Sequence, residues 1–207
     1  YPCPPECGKC GRCHWTSCND DVGFIDKLLK DVKRKLNTDK NRYYLAGISN
    51  GAMMSQRLAC ELSDHFAAVA LIIGRLQRGY SCTPDQPMAL LQINGGQDTS
   101  VPPVKNPSVD GYYYTTALEV STDWAGQAQC DTEGKPWGND ISREQGLQCL
   151  QYAGCQNRQT EVIDCIWPEG KHVWPGNIGG GGWCVDESQK DSMAYFPACK
   201  KPAEDLV

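Results

Sequence analysis

Residues 42–55 read Arg42-Tyr43-Tyr44-Leu45-Ala46-Gly47-Ile48-Ser49-Asn50-Gly51-Ala52-Met53-Met54-Ser55. Arg42 to Ile48 is rich in strand formers. From Ala52 to Leu62 the apolar Met53, Leu58 and Leu62 fit a helix, so a strand runs into a helix through Ser49-Asn50-Gly51. At the junction lies G-x-S-x-G. Such a connection needs a sharp, strained turn that pushes the serine hydroxyl out of the sheet, and the two glycines are expected to remove side chains that would clash there. The pattern alone is weak, because glycine and serine are common; between a strand and a helix it is specific.

Upstream, Val22, Ile25, Leu28, Leu29, Val32 and Leu36 fall at three- and four-residue steps, which predicts an amphipathic helix from Asp20. Asp20 and Asp21 at its start and Lys33, Arg34 and Lys35 near its end complement the helix dipole. Downstream, Ala67–Ile73 and Met88–Ile93 are short continuous apolar runs, the pattern of strands buried on both faces of a parallel sheet; Thr160–Trp167 is a further strand. The fold class is therefore α/β, a mostly parallel sheet flanked by helices. Between Asp98 and Thr160 one helix is expected around Thr115–Gln127, followed by a disulfide-pinned loop. Residues 1–19 read as an irregular arm, with Cys3, Cys7, Cys10, Cys13 and Cys18 among prolines and glycines, and residues 20–207 as the folded domain. The Cys-x-x-Cys-x-x-Cys spacing in the arm also fits zinc, but disulfides are the simpler reading beside eight further cysteines. The glycine run from Asn177 to Gly182 suits a flap or a connector equally well.

Composition excludes several function classes. With 207 residues and 22.8 kDa the length argues for one domain, at most two. Its mean hydropathy is -0.51, and no apolar run approaches the ~18 residues of a membrane span. A net charge of -5 and a pI near 5.2 supply no basic field for nucleic acid or anionic lipid. Thirteen cysteines spread from Cys3 to Cys199 are too many for a chain kept reduced and too dispersed for one metal cluster. They predict a secreted or lumenal protein with several disulfides, and the odd count leaves at least one thiol unpaired, paired to another chain, or paired to a segment outside this sequence. A start at Tyr1, with neither Met nor an apolar leader, fits a mature form or a trimmed piece.

A serine is a poor nucleophile until a base takes its proton. Of the three histidines, His14 lies in the cysteine-rich arm and His65 just before an apolar strand, where a surface or packing role is the default. His172 follows the last strand, where a loop can hang an imidazole over the carboxyl edge of the sheet. Asp98 comes just after the Met88–Ile93 strand. Ser49, Asp98 and His172 thus occur in the chain order of an α/β-hydrolase triad. Asp110, Asp123 and Asp164 are read as surface charges.

Asp20-Asp21-Val22-Gly23-Phe24-Ile25, the block Tyr44–Ser55, Leu58-Ala59-Cys60-Glu61, Phe66-Ala67-Ala68-Val69-Ala70, and His172 with Trp174-Pro175-Gly176 occur in this order over roughly residues 18–176. Together they closely resemble the polyhydroxybutyrate depolymerase family, which is related to feruloyl and acetylxylan esterases. The resemblance implies a secreted serine carboxylic-ester hydrolase of α/β-hydrolase fold that needs no metal or organic cofactor. Ser49 would be its nucleophile, His172 its general base and acid, and Asp98 the orienting carboxylate. Trp174 would help form the substrate wall, and Asn50 would donate its backbone N–H to the oxyanion. Substrates implied are polyhydroxyalkanoate-like polyester, feruloyl or short acyl esters. Tannase-type feruloyl esterases carry cysteines beside the serine and histidine; Ile48 and Val173 stand there in this chain.

Members of that family have more strands and a His-Gly-Gly loop ahead of the Asp20 segment, and that loop supplies the second oxyanion donor. Only 19 residues precede Asp20 here, so the resemblance implies a reduced α/β-hydrolase fold in which the second donor is unassigned. The strand ending at Ile48 is then expected to present an open edge, to be covered by the arm, by a second copy in a homo-oligomer, or by a partner chain. One lost oxyanion donor costs about 10²–10³ in rate. Two readings follow: an ester hydrolase, and a catalytically weak binding or structural protein on a hydrolase fold. Tyr112, Tyr113, Tyr114, Trp124, Trp137 and Trp174 are candidates for an aromatic platform, although buried aromatics are the commoner case.

Overall fold

In chain order the elements are α1 (Asp21–Lys35), β1 (Tyr44–Ile48), α2 (Asn50–Glu61), β2 (Ala68–Ile72), β3 (Ala89–Gly95), α3 (Ala117–Gln127), β4 (Lys135–Trp137), β5 (Gln148–Tyr152) and β6 (Val162–Trp167). They come from a computed structural model that describes residues 19–138 and 146–174. The cysteine-rich arm with its zinc alternative, Pro175-Gly176 and the Asn177–Gly182 run lie outside the described residues.

One six-stranded sheet has the order β1-β2-β3-β6-β5-β4. β1, β2, β3 and β6 are mutually parallel, and β5 and β4 continue the sheet antiparallel. The fold is therefore α/β, with a mostly parallel sheet flanked by helices. Because β1, β3 and β6 run the same way, the segments that follow them leave from one edge of the sheet. Among the described residues β1 pairs only with β2, and Tyr44 at its start is exposed.

Local chemistry sets the helix ends. Asp20 caps α1 by accepting from the Gly23 N–H at 2.8 Å. Thr116 caps α3 in a reciprocal box, in which Glu119 N–H donates to Thr116 Oγ1 and Thr116 N–H to the Glu119 carboxylate. On α1, Leu29 is buried and Val22 and Ile25 pack against the core, but Leu28 is exposed at the flank of the stripe. Leu36 is also exposed, because it is the extended residue that ends the helix.

One apolar cluster joins Leu29 of α1, Leu58 and Ala59 of α2, Val120 and Trp124 of α3, and Val69, Leu71, Leu90 and Val162 of the sheet. The expectation of strands buried on both faces needs correction. Burial alternates along β2 and β3, and Ala68, Ala70, Ala89, Leu91 and Ile93 are only half-buried. The described helices contribute to the core on the Val69–Leu90–Val162 face. The opposite face is served in part by Leu147 and the Cys149–Cys165 bridge.

Two further readings change. The disulfide-pinned loop before Thr160 contains β4 and β5, whose three and five residues include no β-branched side chain. It is pinned by Cys130–Cys155 and Cys149–Cys165, while Cys60–Cys82 ties the end of α2 to the segment after β2. The other cysteines, Cys3, Cys7, Cys10, Cys13, Cys18, Cys184 and Cys199, lie outside the described residues.

Asp164 is not a surface charge. Strand alternation puts it on the face of Val162, under α3, where Ser121 Oγ donates to its Oδ2 at 3.4 Å and Oδ1 has no partner. Burial pushes its carboxyl up to about 6 from 3.8, against the pull of Arg75. A carboxyl with a raised folded-state pKa contributes stability that is fully present below the unfolded value and lost as pH rises through about 6. Asp164→Asn, neutral at every pH, is therefore expected to be more stable than the parent at pH 8, by up to about 3 kcal/mol and with a correspondingly higher Tm, and to match the parent near pH 4. Thermal melts at the two pH values check this; an equal shift at both contradicts it.

Candidate active site

Ser49 sits between β1 and α2 with φ 54° and ψ -124°, a left-handed conformation that costs a non-glycine residue energy. The surroundings hold it there. Its N–H donates to Ile72 O at the end of β2 (2.9 Å), and its carbonyl accepts from Ala52 N–H (2.9 Å) and Met53 N–H (3.1 Å), which starts α2. A Cβ on Gly47 would lie 2.1 Å from Gly51 O, so the first motif glycine is sterically required. The second is not: a Cβ on Gly51 would meet nothing within 4 Å, because that position faces open space. The glycine that fills the expected role is Gly74, after β2, whose Cβ would lie 2.1 Å from Ser49 O. No motif marks it in the sequence.

Asp98 and His172 approach from the segments after β3 and β6. Two backbone bonds lace those segments together, Gly96 N–H donating to Trp167 O (2.8 Å) and Gln97 N–H to Gly170 O (2.8 Å), while Gly170 N–H donates to Trp167 O (2.9 Å) within the turn after β6. Asp98 is 3% exposed. Its Oδ1 accepts from the N–H groups of Ser100 (2.8 Å) and Val101 (2.9 Å). Its Oδ2 lies 2.7 Å from His172 Nδ1, and His172 Nε2 lies 2.8 Å from Ser49 Oγ. A carboxylate only accepts, so Nδ1 of His172 carries a proton and Nε2 of the neutral ring is left to accept from Ser49. The structure thus brings Ser49, His172 and Asp98 into one hydrogen-bonded chain, although 123 residues separate serine from histidine.

Asn50 is the first residue of α2, so its N–H has no acceptor within the helix and lies at the positive end of the dipole. Trp174, two residues past the histidine, is 46% exposed, whereas Trp124 and Tyr114 are core residues and cannot form a platform. His65 packs at the surface, its Nδ1 3.0 Å from Lys33 Nζ. A cleft of about 770 Å³ opens beside Asp98 and His172, with Pro102, Pro103, Val104 and Lys171 among its walls. Ser49 does not line it, so the cleft flanks the histidine side of the site. Among the described residues, no group of three His, Cys, Asp or Glu side chains is placed to hold a metal ion.

Sequence reasoning missed a buried polar layer behind Asp98. Arg75, fully buried just after β2, donates through Nε to Thr115 O (3.0 Å), through Nη1 to Asn94 Oδ1, and through Nη2 to Val101 O (2.9 Å) and Pro102 O (2.7 Å). Burial pulls its guanidinium down to about 10, while Asp98, Asp164 and Tyr114 act in the other direction; it remains a cation at neutral pH. An arginine following Ile72-Ile73-Gly74 was the one available signal.

A strained serine between a parallel strand and a helix, with histidine and aspartate arriving from later strand ends, defines the class as an α/β-hydrolase-type fold. Comparison with solved structures agrees on the fold. An acetyl xylan esterase from Aspergillus awamori superposes with a TM-score of 0.53 over 73% of this chain and 62% of that one, at 16% identity. No protein-family model matches the chain. Among curated proteins it is similar to feruloyl esterase B of Piromyces equi, 36% identical over 86 residues, or 40% of this chain and 16% of that protein. Feruloyl esterase C of Emericella nidulans is 36% identical over 89 residues, 42% of this chain and 33% of that protein. The putative esterase NocK of Nocardia uniformis subsp. tsuyamanensis is 27% identical over 173 residues, 75% of this chain and 49% of that protein. The match thus spans a third or less of the length of these two feruloyl esterases.

Proposed function

We propose that the chain is a serine carboxylic-ester hydrolase. The observation that carries this reading is the hydrogen-bonded run from Ser49 Oγ through His172 to Asp98 Oδ2, at 2.8 Å and 2.7 Å, anchored on a strained strand-to-helix turn. In the reaction, His172 Nε2 takes the proton of Ser49 as Oγ attacks the ester carbonyl carbon. The oxyanion is met by the Asn50 N–H. His172 then passes its proton to the leaving alkoxide, and an acyl-serine remains. Water then repeats the cycle: His172 takes its proton as its oxygen attacks the acyl carbon, the bond from that carbon to Ser49 Oγ breaks as His172 returns the proton to Oγ, and the acid departs. Asp98 holds the ring in the required tautomer throughout and stabilises its charged form.

The named feruloyl esterases favour a feruloyl ester over a polyester as substrate, and the exposed indole of Trp174 supplies an apolar wall near the histidine. We assign the chain to an oxidising, extracytoplasmic compartment. Three disulfides among the described residues support this, and no described helix is long and apolar enough to cross a membrane.

A fluorophosphonate probe tests the nucleophile whichever ester is the substrate. Stoichiometric labelling of the purified chain is expected, with the adduct on the peptide that contains Ser49 and labelling lost in His172→Ala. A chain that stays unlabelled, or carries its label elsewhere, refutes the assignment. Hydrolysis of p-nitrophenyl acetate, ethyl ferulate and a hydroxybutyrate oligomer then ranks the substrate classes.

A further inference from the structure

The polar layer behind Asp98 has a definite geometry. Asp98 Oδ1 is held by the N–H groups of Ser100 and Val101, and the next carbonyls along that turn, Val101 O and Pro102 O, are both gripped by Nη2 of Arg75. Nη1 reaches Asn94 near the end of β3, the strand that leads into Asp98, and Nε reaches Thr115 just ahead of α3. Arg75 itself leaves β2 through Ile73, which has φ 44°, and Gly74, which abuts the Ser49 carbonyl. Ile73 N–H donates to Ile93 O at 2.8 Å, so the segment is clamped to β3 as well. One short segment therefore touches the serine turn at Gly74 and the aspartate turn at Arg75.

We infer that Arg75 is a positioning residue for ester hydrolysis, its guanidinium fork fixing the Asp98–Pro102 turn so that Asp98 Oδ2 meets His172 Nδ1. The inference rests on the reading of Asp98 as the carboxylate that orients His172. The requirement is for a planar fork and not merely for positive charge. Arg75 serves four acceptors on three segments of chain from inside the protein, and a lysine ammonium has neither the donor number nor the spread to do so. The charge is balanced by Asp98 and Asp164, with Tyr114 also nearby. An apolar replacement would leave buried carbonyls unpaired, which costs stability without isolating the positioning effect.

The test compares Arg75→Lys with the parent chain, reading kcat and KM for p-nitrophenyl acetate and the NMR titration midpoint of His172. A loosened Asp98 stabilises the charged imidazole less. The midpoint is therefore expected to move to lower pH, with kcat down about ten- to a hundredfold and KM within about threefold. A folded Arg75→Lys chain with parental kcat and midpoint, even one with a lowered Tm, overturns the inference, as does a loss confined to KM. If Arg75→Lys does not fold, Asn94→Ala decides: it keeps the cation and removes only the Nη1 acceptor. A smaller kcat loss, about three- to tenfold, with the same direction of titration shift, supports positioning; parental behaviour overturns it. Asp98→Asn assayed beside them separates the underlying reading, because parental turnover in that variant removes Asp98 from the reaction whatever Arg75 does.

Discussion

Replacing Ser49 by alanine is expected to lower kcat/KM for p-nitrophenyl acetate by at least about a thousandfold. The change removes one oxygen, Oγ, which faces His172 Nε2 at 2.8 Å, and leaves every backbone bond of the turn in place. Alanine tolerates the left-handed φ of 54° no better than serine does, so the strain is retained and stability should change little. The large loss in rate is therefore separable from unfolding. Residual turnover in the variant is expected to come only from binding and from the Asn50 N–H. Parallel rate and Tm measurements check this, and retained activity in a folded Ser49→Ala chain would rule out the nucleophile.

The second large effect is expected for Asp98→Asn, at about 10³–10⁴ in kcat. The direction follows from the two faces of the side chain. Oδ1 accepts from two backbone N–H groups, so the amide oxygen of an asparagine must stay on that side. The amide nitrogen then faces His172 Nδ1, where Oδ2 now lies 2.7 Å away. Two donors cannot bond to each other, so the ring shifts its proton to Nε2, which points a donor at Ser49 where an acceptor is required. The side chain keeps its volume and its backbone bonds, and the fold should persist. Recovery of rate at high pH, or a parental kcat in neutral buffer, would contradict this account. Comparison with Arg75→Lys is informative, because that variant perturbs the same carboxylate through its turn, without inverting its hydrogen-bond polarity.

Much of the fold was legible because it is written in local patterns. The stripe Val22, Ile25, Leu29 marked α1, the Ser49 junction marked β1 and α2, and a third helix was expected around Thr115–Gln127, where α3 lies. β4 and β5 were not legible. Their short segments acquire strand character from pairing onto β6 and from the Cys149–Cys165 link. Side-chain burial was the weaker inference throughout. Apolar runs in β2 and β3 read as buried on both faces, yet alternate positions are half-open, because the number of helices over each face is not a property of the strand.

By itself, the sequence determined the class of the protein and its candidates for chemistry. A strand, a glycine, a serine and a helix dictate a strained turn, and Asp98 and His172 follow later strands at positions where parallel pairing must bring their segments to one edge. Those are consequences of chain order and short-range sterics. Only the tertiary structure decided that Gly74, and not Gly51, makes room for the serine turn, that Asp164 is buried under α3, and that Arg75 grips the turn holding Asp98. Each of these depends on atoms brought together from distant parts of the chain. Steric clearance, desolvation and hydrogen-bond satisfaction are set by such neighbours, and no local pattern of residue types encodes them.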